Sequence, residues 1–191
     1  HDTGGRDLDF LLRRAPGGAA STAVFETPVD GIDVTVTGPL GRATFDPSEG
    51  RPFLAIAGGS GIAGMLAIAS RAAEAAAFGP AGSDLVFGLR DPGSAYLLED
   101  LNAMARASDG ALRVTVAFSD NAEGFAAGDW PHLSFTKGFA HDAAATIVDR
   151  ARPQRPIHYV AGPPVMVDAT LKALMTTHGV AGEDIRYDRF G

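Results

Sequence analysis

The sequence predicts an α/β fold built on a parallel sheet with helices on both faces. Strand-like and helix-like segments alternate after Pro52, and clusters of glycine and proline separate them. The first of these strands runs into a glycine-rich turn, Gly59-x-Gly61-x-x-Gly64, that opens a helix. Hydrophobic residues make up 46% of the 191 residues, which is enough for a packed core.

Five strands and four helices are predicted in order after residue 52. Residues 53–57 are uniformly apolar, as in a strand buried on both faces, and Ile62, Met65 and Ala69 follow at helical spacing. The other strands are predicted at 84–89, 113–119, 157–161 and 184–189, and the helices at 60–77, 94–108, 142–151 and 164–178. Residues 121–140 show little periodicity, so a loop is predicted there with Trp130 as a packing anchor.

The first 50 residues have a different character. Short strands are predicted at 8–14 and 32–37, with turn-rich sequence between them. Two or three strands cannot close a barrel or cover a sheet on both faces. Residues 1–50 are therefore expected to be the last part of an all-β domain whose beginning is missing, and residues 51–191 a separate α/β domain.

Composition excludes several classes of function. The net charge is −7 and the acidic residues are dispersed, so nucleic acid is not an expected partner. No apolar run approaches the roughly 18 residues of a membrane span, and no signal peptide is recognisable, so a cytoplasmic protein is expected. The chain has no cysteine, which rules out disulfides and Cys-ligated iron–sulfur clusters, and its histidines lack the spacing of a metal site.

The glycine turn after the first strand predicts a site for a dinucleotide pyrophosphate. Glycines let the backbone turn tightly and approach a phosphate, and the following helix offers unpaired N–H groups and its positive dipole end. Gly58 to Gly61 is the stretch expected along the pyrophosphate, with the Ser60 hydroxyl as a donor. A tight turn without a ligand is the alternative for this motif.

Motifs along nearly the whole chain resemble those of one family. They are LDFLLRRAPGGAAS at 8–21, VTGPLG at 36–41, IAGGSGIAGM at 56–65, FGLRD at 87–91, YVAGPPVM at 159–166 and YDRF at 187–190. In this order they resemble the ferredoxin–NADP reductase superfamily, most closely the FAD- and NADH-dependent reductase components of bacterial multicomponent, ring-hydroxylating oxygenases. The resemblance implies that an antiparallel flavin-binding β-barrel precedes a five-stranded NAD-binding domain. It also implies electron transfer from NADH through FAD to an iron–sulfur centre outside this chain, in a ferredoxin domain or protein that serves a terminal oxygenase.

The resemblance assigns roles to individual residues. Those implied for the flavin pyrophosphate are Gly18, Ser21 and Thr22. Those implied for the NAD pyrophosphate are Gly58, Gly59, Ser60, Gly61 and Ile62. Arg90 is expected either to reach the pyrophosphate or ribose or to form a surface ion pair. Those implied near the nicotinamide are Ala161, Gly162, Pro163, Pro164 and Met166. Phe190 is expected to stack on the flavin ring, and Asp188 to lie near the flavin proton path.

The choice between NADH and NADPH is predicted from charge. A 2′-phosphate needs cations, whereas a free 2′-hydroxyl is well served by a carboxylate. Ser119-Asp120 stands where NADP-dependent relatives tend to have Ser-Arg, so Asp120 predicts NADH. In the general dinucleotide-binding fold the carboxylate that binds the ribose ends the second strand, and that position is Asp91 here.

Three departures from the family pattern bear on these expectations. The family's Arg-x-Tyr-Ser flavin motif should lie just before His1, so FAD binding is expected of the complete protein rather than of this segment alone. Ala161 replaces a cysteine found in many relatives, and slower or differently poised hydride transfer is expected. Gly64 replaces the usual proline, which predicts a more flexible turn.

Three alternative functions are weighed against this one. Another flavin reductase of the superfamily, including the flavohaemoglobin type, shares the same motifs. A non-catalytic nucleotide-binding module would need only the glycine turn. A hydrolase with Ser60 as nucleophile would need a triad from Asp168 and His178, and Ile62 occupies the last glycine position of the G-x-S-x-G pattern.

Overall fold

A single sheet of six parallel strands organises the fold. The computed structural model describes residues 9–26, 31, 33, 35–37, 43–120, 122–123 and 125–190. The strands are β1 (Phe53–Gly58), β2 (Ser83–Leu89), β3 (Leu112–Phe118), β4 (Leu133–Lys137), β5 (Ile157–Gly162) and β6 (Ile185–Arg189). Their order across the sheet is β4-β3-β2-β1-β5-β6, and every neighbouring pair is parallel. The chain therefore changes direction across the sheet between β1 and β5, where open α/β sheets bind ligands.

Helices cover both faces of this sheet, which confirms the predicted α/β class. They are α1 (Ala19–Glu26), α2 (Ile62–Glu74), α3 (Leu98–Ala107), α4 (Ala140–Ala151) and α5 (Pro164–Lys172), the last continued by a π-helical turn at Ala173–Thr177. Alternate residues of β1 divide between two buried clusters. Phe53 and Ala55 join the core with α2 and α3, whereas Leu54 and Ile56 join the core with α4 and α5.

The sheet has one strand more than the five predicted. The additional strand, β4, lies at an edge inside the stretch predicted as a loop. Its sequence gave a weak signal because Leu133 is its single buried residue, while three of its four other residues are polar. Phe135 lies parallel to Phe118 of the neighbouring strand, with ring centroids 6.2 Å apart. Trp130 packs against the core, as predicted.

The strands predicted in the first 50 residues are wrong wherever the structure describes those residues. Residues 9–14, 33 and 35–37 have no regular structure, and α1 follows at Ala19–Glu26. A strand is stable when it has hydrogen-bonded neighbours, and the sheet has none to offer these segments among the described residues. Residues 38–41 of the predicted VTGPLG corner lie outside the described ranges.

Residues 43–50 are attached to the sheet by polar and aromatic contacts. The carbonyl of Thr44 accepts hydrogen bonds from the Tyr159 hydroxyl at 3.1 Å and from Arg186 at 2.7 Å. Arg186 also pairs with Glu49. The ring of Phe45 meets that of Phe53 edge-on, with centroids 5.9 Å apart. This segment is therefore packed with the α/β unit, although the predicted domain boundary follows it.

A buried carboxylate joins three elements at the amino-terminal end of the sheet. Asp84 on β2 is 4% exposed. It accepts two hydrogen bonds from Arg113 of β3, at 2.9 and 2.8 Å, and one from Arg150 of α4 at 2.6 Å. The three bonds satisfy a charge that would otherwise be costly to bury.

The described residues contain neither a membrane-spanning helix nor a cluster of metal ligands. No helix there is long and apolar enough to cross a membrane. No cluster of three or more His, Asp or Glu residues there is arranged to hold a metal ion.

Candidate functional site

Two glycine turns meet at the carboxyl ends of β1 and β5. A Cβ at Gly61 would overlap the carbonyl oxygen of Ala161 and lie 2.5 Å from its carbonyl carbon. A Cβ at Gly162, which has φ +154°, would lie 2.9 Å from the carbonyl oxygen of Gly58. A Cβ at Gly58 would overlap the sulfur of Met166. Glycine is needed at positions 61 and 162 because the backbones of the two turns touch there, whereas a carbon added at Gly58 would meet the flexible Met166 side chain.

The remaining glycines of the first turn have other roles. Gly59 has φ +51°, and a Cβ there would meet nothing within 4 Å, so its backbone borders open space. Gly64 lies in the first turn of α2, is exposed and has no close neighbour at its Cβ position. Ile62 begins α2 and is fully buried. The third glycine of a G-x-G-x-x-G motif ordinarily allows the helix to pack closely on the sheet. Here Gly61, and not Gly64, makes the close contact.

A cavity of about 530 Å³ runs along the carboxyl edge of the sheet. Seven predicted binding residues line it: Gly58, Gly59, Ser60, Arg90, Ser119, Pro163 and Met166. Its other lining residues were missed in the sequence: Leu11, Leu12, Arg13, Gly88, Leu89, Ser94, Tyr96, Gly138, Phe139 and Ala140. The signal that could have revealed the last three is the strand–glycine–helix junction at Lys137-Gly138-Phe139-Ala140, which repeats the pattern at Gly58.

The end of β6 brings Phe190 to the second glycine turn. The Phe190 N–H donates to the Gly162 carbonyl at 2.9 Å, and the residue is 45% exposed. Asp188 is paired in register with Ala161 and is half-buried. Ala161 is 2% exposed and belongs to the core cluster on the α2 side, so its methyl group is packed rather than open to the cavity. Pro164 is exposed and begins α5, where its missing N–H costs nothing.

Arg90 and Asp120 form an ion pair at the ends of β2 and β3. Their side chains are 2.9 Å apart, and the Asp120 N–H donates to the Arg90 carbonyl at 2.8 Å. The hydrogen bond to Asp120, together with its charge, raises the pKa of Arg90. The carboxylate of Asp91 instead accepts from the Ser94 N–H at 2.9 Å and caps a short 3₁₀ turn. Asp91 is thus engaged locally, whereas Asp120 does not itself line the cavity but pairs with Arg90, which does.

The residues predicted for the flavin pyrophosphate form the start of α1. The Ser21 hydroxyl donates within its own turn, to the Ala15 and Gly18 carbonyls, both at 3.1 Å. The Thr22 N–H donates to the Gly18 carbonyl at 2.9 Å. These groups are therefore bonded within the turn, and their role at a flavin pyrophosphate stays a prediction. Gly18, Ser21 and Thr22 do not line the cavity, although Leu11, Leu12 and Arg13 of the same segment do.

The hydrolase alternative has no matching geometry. Asp168 accepts hydrogen bonds from Arg189 at 3.0 and 2.7 Å. His178 bonds to Asp149 at 3.0 Å. Neither residue lines the cavity that contains Ser60, so these groups do not form a triad.

Residues 55–172 match the family described as the oxidoreductase NAD-binding domain. The chain belongs to this family. It is 32% identical over 183 residues to the ferredoxin–NAD(+) reductase component of the alkene monooxygenase system of Xanthobacter autotrophicus, covering 96% of this chain and 52% of that protein. It is also 32% identical to the ferredoxin–NAD(P)(+) reductase CarAd of Metapseudomonas resinovorans, covering 95% and 50%. The chain thus spans about half the length of these relatives.

Solved structures show the same relationship. The ferredoxin reductase in carbazole 1,9a-dioxygenase superimposes with a TM-score of 0.69 at 28% identity, covering 94% of this chain and 50% of that one. A ferredoxin–NADP+ reductase from Plasmodium falciparum, with a TM-score of 0.58 over 85% of this chain and 63% of that one, shares the fold at 14% identity. The predicted membership of the ferredoxin reductase superfamily is confirmed. The family description names NAD binding, in agreement with the dinucleotide site predicted for this chain.

Proposed function

We propose that this chain is the NADH-binding half of an FAD-dependent ferredoxin reductase that serves an oxygenase. The complete protein would take a hydride from NADH onto FAD and pass single electrons to the iron–sulfur centre of a ferredoxin. One observation carries the proposal: the cavity at the β1/β5 switch point is bounded by two glycine turns in backbone contact. The alkene monooxygenase reductase component and the ferredoxin reductase in carbazole 1,9a-dioxygenase, both named above, support the same function.

The first turn suits the pyrophosphate of NADH. Gly59 borders open space, so phosphate oxygens can approach its backbone without meeting a side chain. Ser60 lines the cavity and can donate its hydroxyl hydrogen. The 3₁₀ turn at Gly59–Gly61 leads directly into α2, and this helical segment adds its positive dipole end.

The second turn suits the nicotinamide. Pro163 and Met166 line the cavity beside Gly58 and give an apolar surface for the ring. Phe190 is held next to this turn by its bond to Gly162, in a position to cover the reacting face from water. FAD in the complete protein would supply the conversion of a two-electron donor into single-electron steps.

Two further assignments belong to this proposal. Asp188, half-buried and level with Ala161, is assigned to a proton path at the flavin. Ala161 puts a methyl group where many relatives have a cysteine, so we assign to this protein a slower or differently poised hydride transfer, without a thiol at that position.

The Arg90–Asp120 pair is proposed to select NADH. Asp120 accepts from a ribose hydroxyl and repels a 2′-phosphate, while holding Arg90 away from such a phosphate. Substituting Asp120→Asn removes the repulsion and frees Arg90. The ratio of NADPH to NADH turnover should then rise about tenfold or more, as expected when a charge-assisted contact replaces a repulsion. Asp91→Asn is the matched control and should leave the ratio unchanged.

The proposal as a whole is tested in two steps. This chain should bind NADH in calorimetric titration, with NADPH binding more weakly. The complete protein should show a flavin spectrum and reduce a ferredoxin with NADH. NADH binding without flavin would favour a non-catalytic nucleotide-binding module, and turnover with other acceptors alone would favour another flavin reductase. A preference for NADPH would overturn the assignment of Asp120.

A further inference from the structure

A second cavity, of about 200 Å³, lies at the amino-terminal end of β5. Its walls come from the end of α4, the 3₁₀ turn at Arg152–Gln154, the start of β5 and the segment after the π-helical turn. Among the described residues, it shares no lining residue with the nucleotide cavity. His158 in this cavity and Gly162 at the nucleotide site are four residues apart on β5, or about 13 Å. The two cavities therefore lie at opposite ends of the same strand.

The most deeply buried polar group of this cavity is a histidine with unused hydrogen-bonding atoms. His158 lines the cavity and is 3% exposed. Within the described part of the chain, neither of its ring nitrogens has a hydrogen-bond partner. Burial lowers the pKa of His158 to about 4, although the backbone and the charge of Asp184 favour its charged form. The ring is therefore uncharged at physiological pH, with one nitrogen as a donor and the other as an acceptor for a guest molecule.

Two guanidinium groups stand at the mouth of the cavity. The side chains of Arg152 and Arg155 both line it and are 60% and 71% exposed. Arg155 pairs with Asp184 at 3.4 Å, and Arg152 pairs with Asp149 at 3.3 Å. Asp184 is also bonded to Arg51 at 2.7 Å. The lining thus holds two arginines against one carboxylate that is already neutralised, which favours a guest with a single negative charge.

Apolar side chains make up much of the remaining wall. Val148, Pro156 and Val180 line the cavity between the charged groups. The π-helical turn at Ala173–Thr177 leads into this wall, and such turns are rare and recur at functional sites. The cavity has room for about six water molecules or one small ring compound. An apolar ring suits these walls better than a phosphate, whose charged oxygens would face the valines.

We propose that this cavity binds a small aromatic monocarboxylic acid with a hydroxyl group opposite its carboxylate. The carboxylate pairs with Arg152 and Arg155 at the mouth, the ring lies against Val148 and Val180, and the hydroxyl bonds to the buried ring of His158. The site is separate from the nucleotide cavity, so this inference does not depend on the proposed function.

The test is a calorimetric titration of this chain with 4-hydroxybenzoate, benzoate and inorganic phosphate. 4-Hydroxybenzoate should bind with a dissociation constant of about 1 mM or below, about tenfold more tightly than benzoate, which lacks the hydroxyl. His158→Leu removes the hydrogen-bonding nitrogens and should equalise the two acids. Arg152→Gln should weaken both acids about fivefold. Because Arg152 is largely exposed, this second variant tests the site even if His158→Leu does not fold.

Arg71→Gln is the matched control for Arg152→Gln. Arg71 is also 60% exposed, pairs with Glu74 three residues away at 3.2 Å and does not line the cavity, so this variant should bind both acids as wild type does. Saturating NADH should change the affinity for 4-hydroxybenzoate less than twofold, because the two cavities are distinct.

Four results would overturn the inference. They are displacement of the acid by NADH, equal affinity of the wild-type chain for the two acids, phosphate binding as tight as that of 4-hydroxybenzoate, and no binding of either acid, in which case the cavity holds water only. The proposed function is judged separately by NADH binding, so it stands or falls independently of these results.

Discussion

Two glycines of the same turn should respond oppositely to alanine. Gly61 has φ −58° and ψ −18°, a conformation open to any residue, so Gly61→Ala adds no backbone strain. Its cost comes from contact, because the added carbon would lie 2.5 Å from the Ala161 carbonyl carbon. Carbon atoms pack at about 3.5–4.0 Å, so β1 and β5 would have to separate by about 1 Å. Overpacking of this kind costs about 3 kcal/mol.

Gly64→Ala is the matched variant three residues along. A Cβ there meets nothing within 4 Å, and the residue lies in the first turn of a helix. Alanine restricts the unfolded chain and favours the helix, so the free energy of unfolding should rise by about 0.5–1 kcal/mol. In a chain of this size the melting temperature should rise by about 2 °C for Gly64→Ala and fall by about 6–12 °C for Gly61→Ala.

Urea unfolding followed by far-ultraviolet circular dichroism measures both changes, and a titration with NADH measures the site. Gly64→Ala should bind NADH as wild type does, whereas Gly61→Ala should bind it at least tenfold more weakly because the two turns move apart. Equal stability changes in the two variants, or a neutral Gly61→Ala, would refute the claim that backbone contact between β1 and β5 shapes the site.

Two further predictions concern stability. Burial lowers the pKa of His158 to about 4, so the unfolded chain binds more protons than the folded one between pH 6.5 and 4. The free energy of unfolding should therefore fall by about 3 kcal/mol as the pH drops through that window. Urea unfolding at stepped pH should show this loss in the wild type and not in His158→Leu, and parallel curves for the two proteins would contradict it. Asp84→Asn should lower the free energy of unfolding by about 2 kcal/mol in the same assay. This is less than the cost of breaking a fully buried ion pair, because the side chains of Arg113 and Arg150 can reach water. An unchanged midpoint of urea unfolding would show that the two ion pairs contribute nothing.

The fold could be predicted from sequence where the chain is buried on both faces. Residues 53–57 are uniformly apolar because β1 is central and lies between two cores, so their pattern depends little on their neighbours. The edge strand β4 lacked such a pattern, since polar residues are tolerated on its exposed face. Its existence depends on pairing with β3, which is a contact between distant parts of the chain.

The site was predictable where backbone geometry dictates the residue type. Gly61 and Gly162 are fixed by the close approach of two turns, and close approach leaves a glycine signature. The partnership of Arg90 with Asp120 was not predictable, because it depends on how two strand ends align across 30 residues of chain. Gly64 completed a familiar motif although its position requires no glycine.

The attachment of residues 43–50 also bears on how chimeric reductases should be assembled. Thr44 and Glu49 are bonded to Arg186, and Phe45 lies against Phe53, so residues 43–50 pack as part of the α/β unit that follows them. A crossover placed between Gly50 and Arg51 would replace residues 43–50 with a foreign sequence, and the guanidinium of Arg186 would lose its partner Glu49. A crossover upstream of Ala43 would keep residues 43–50 together with the sheet that they contact.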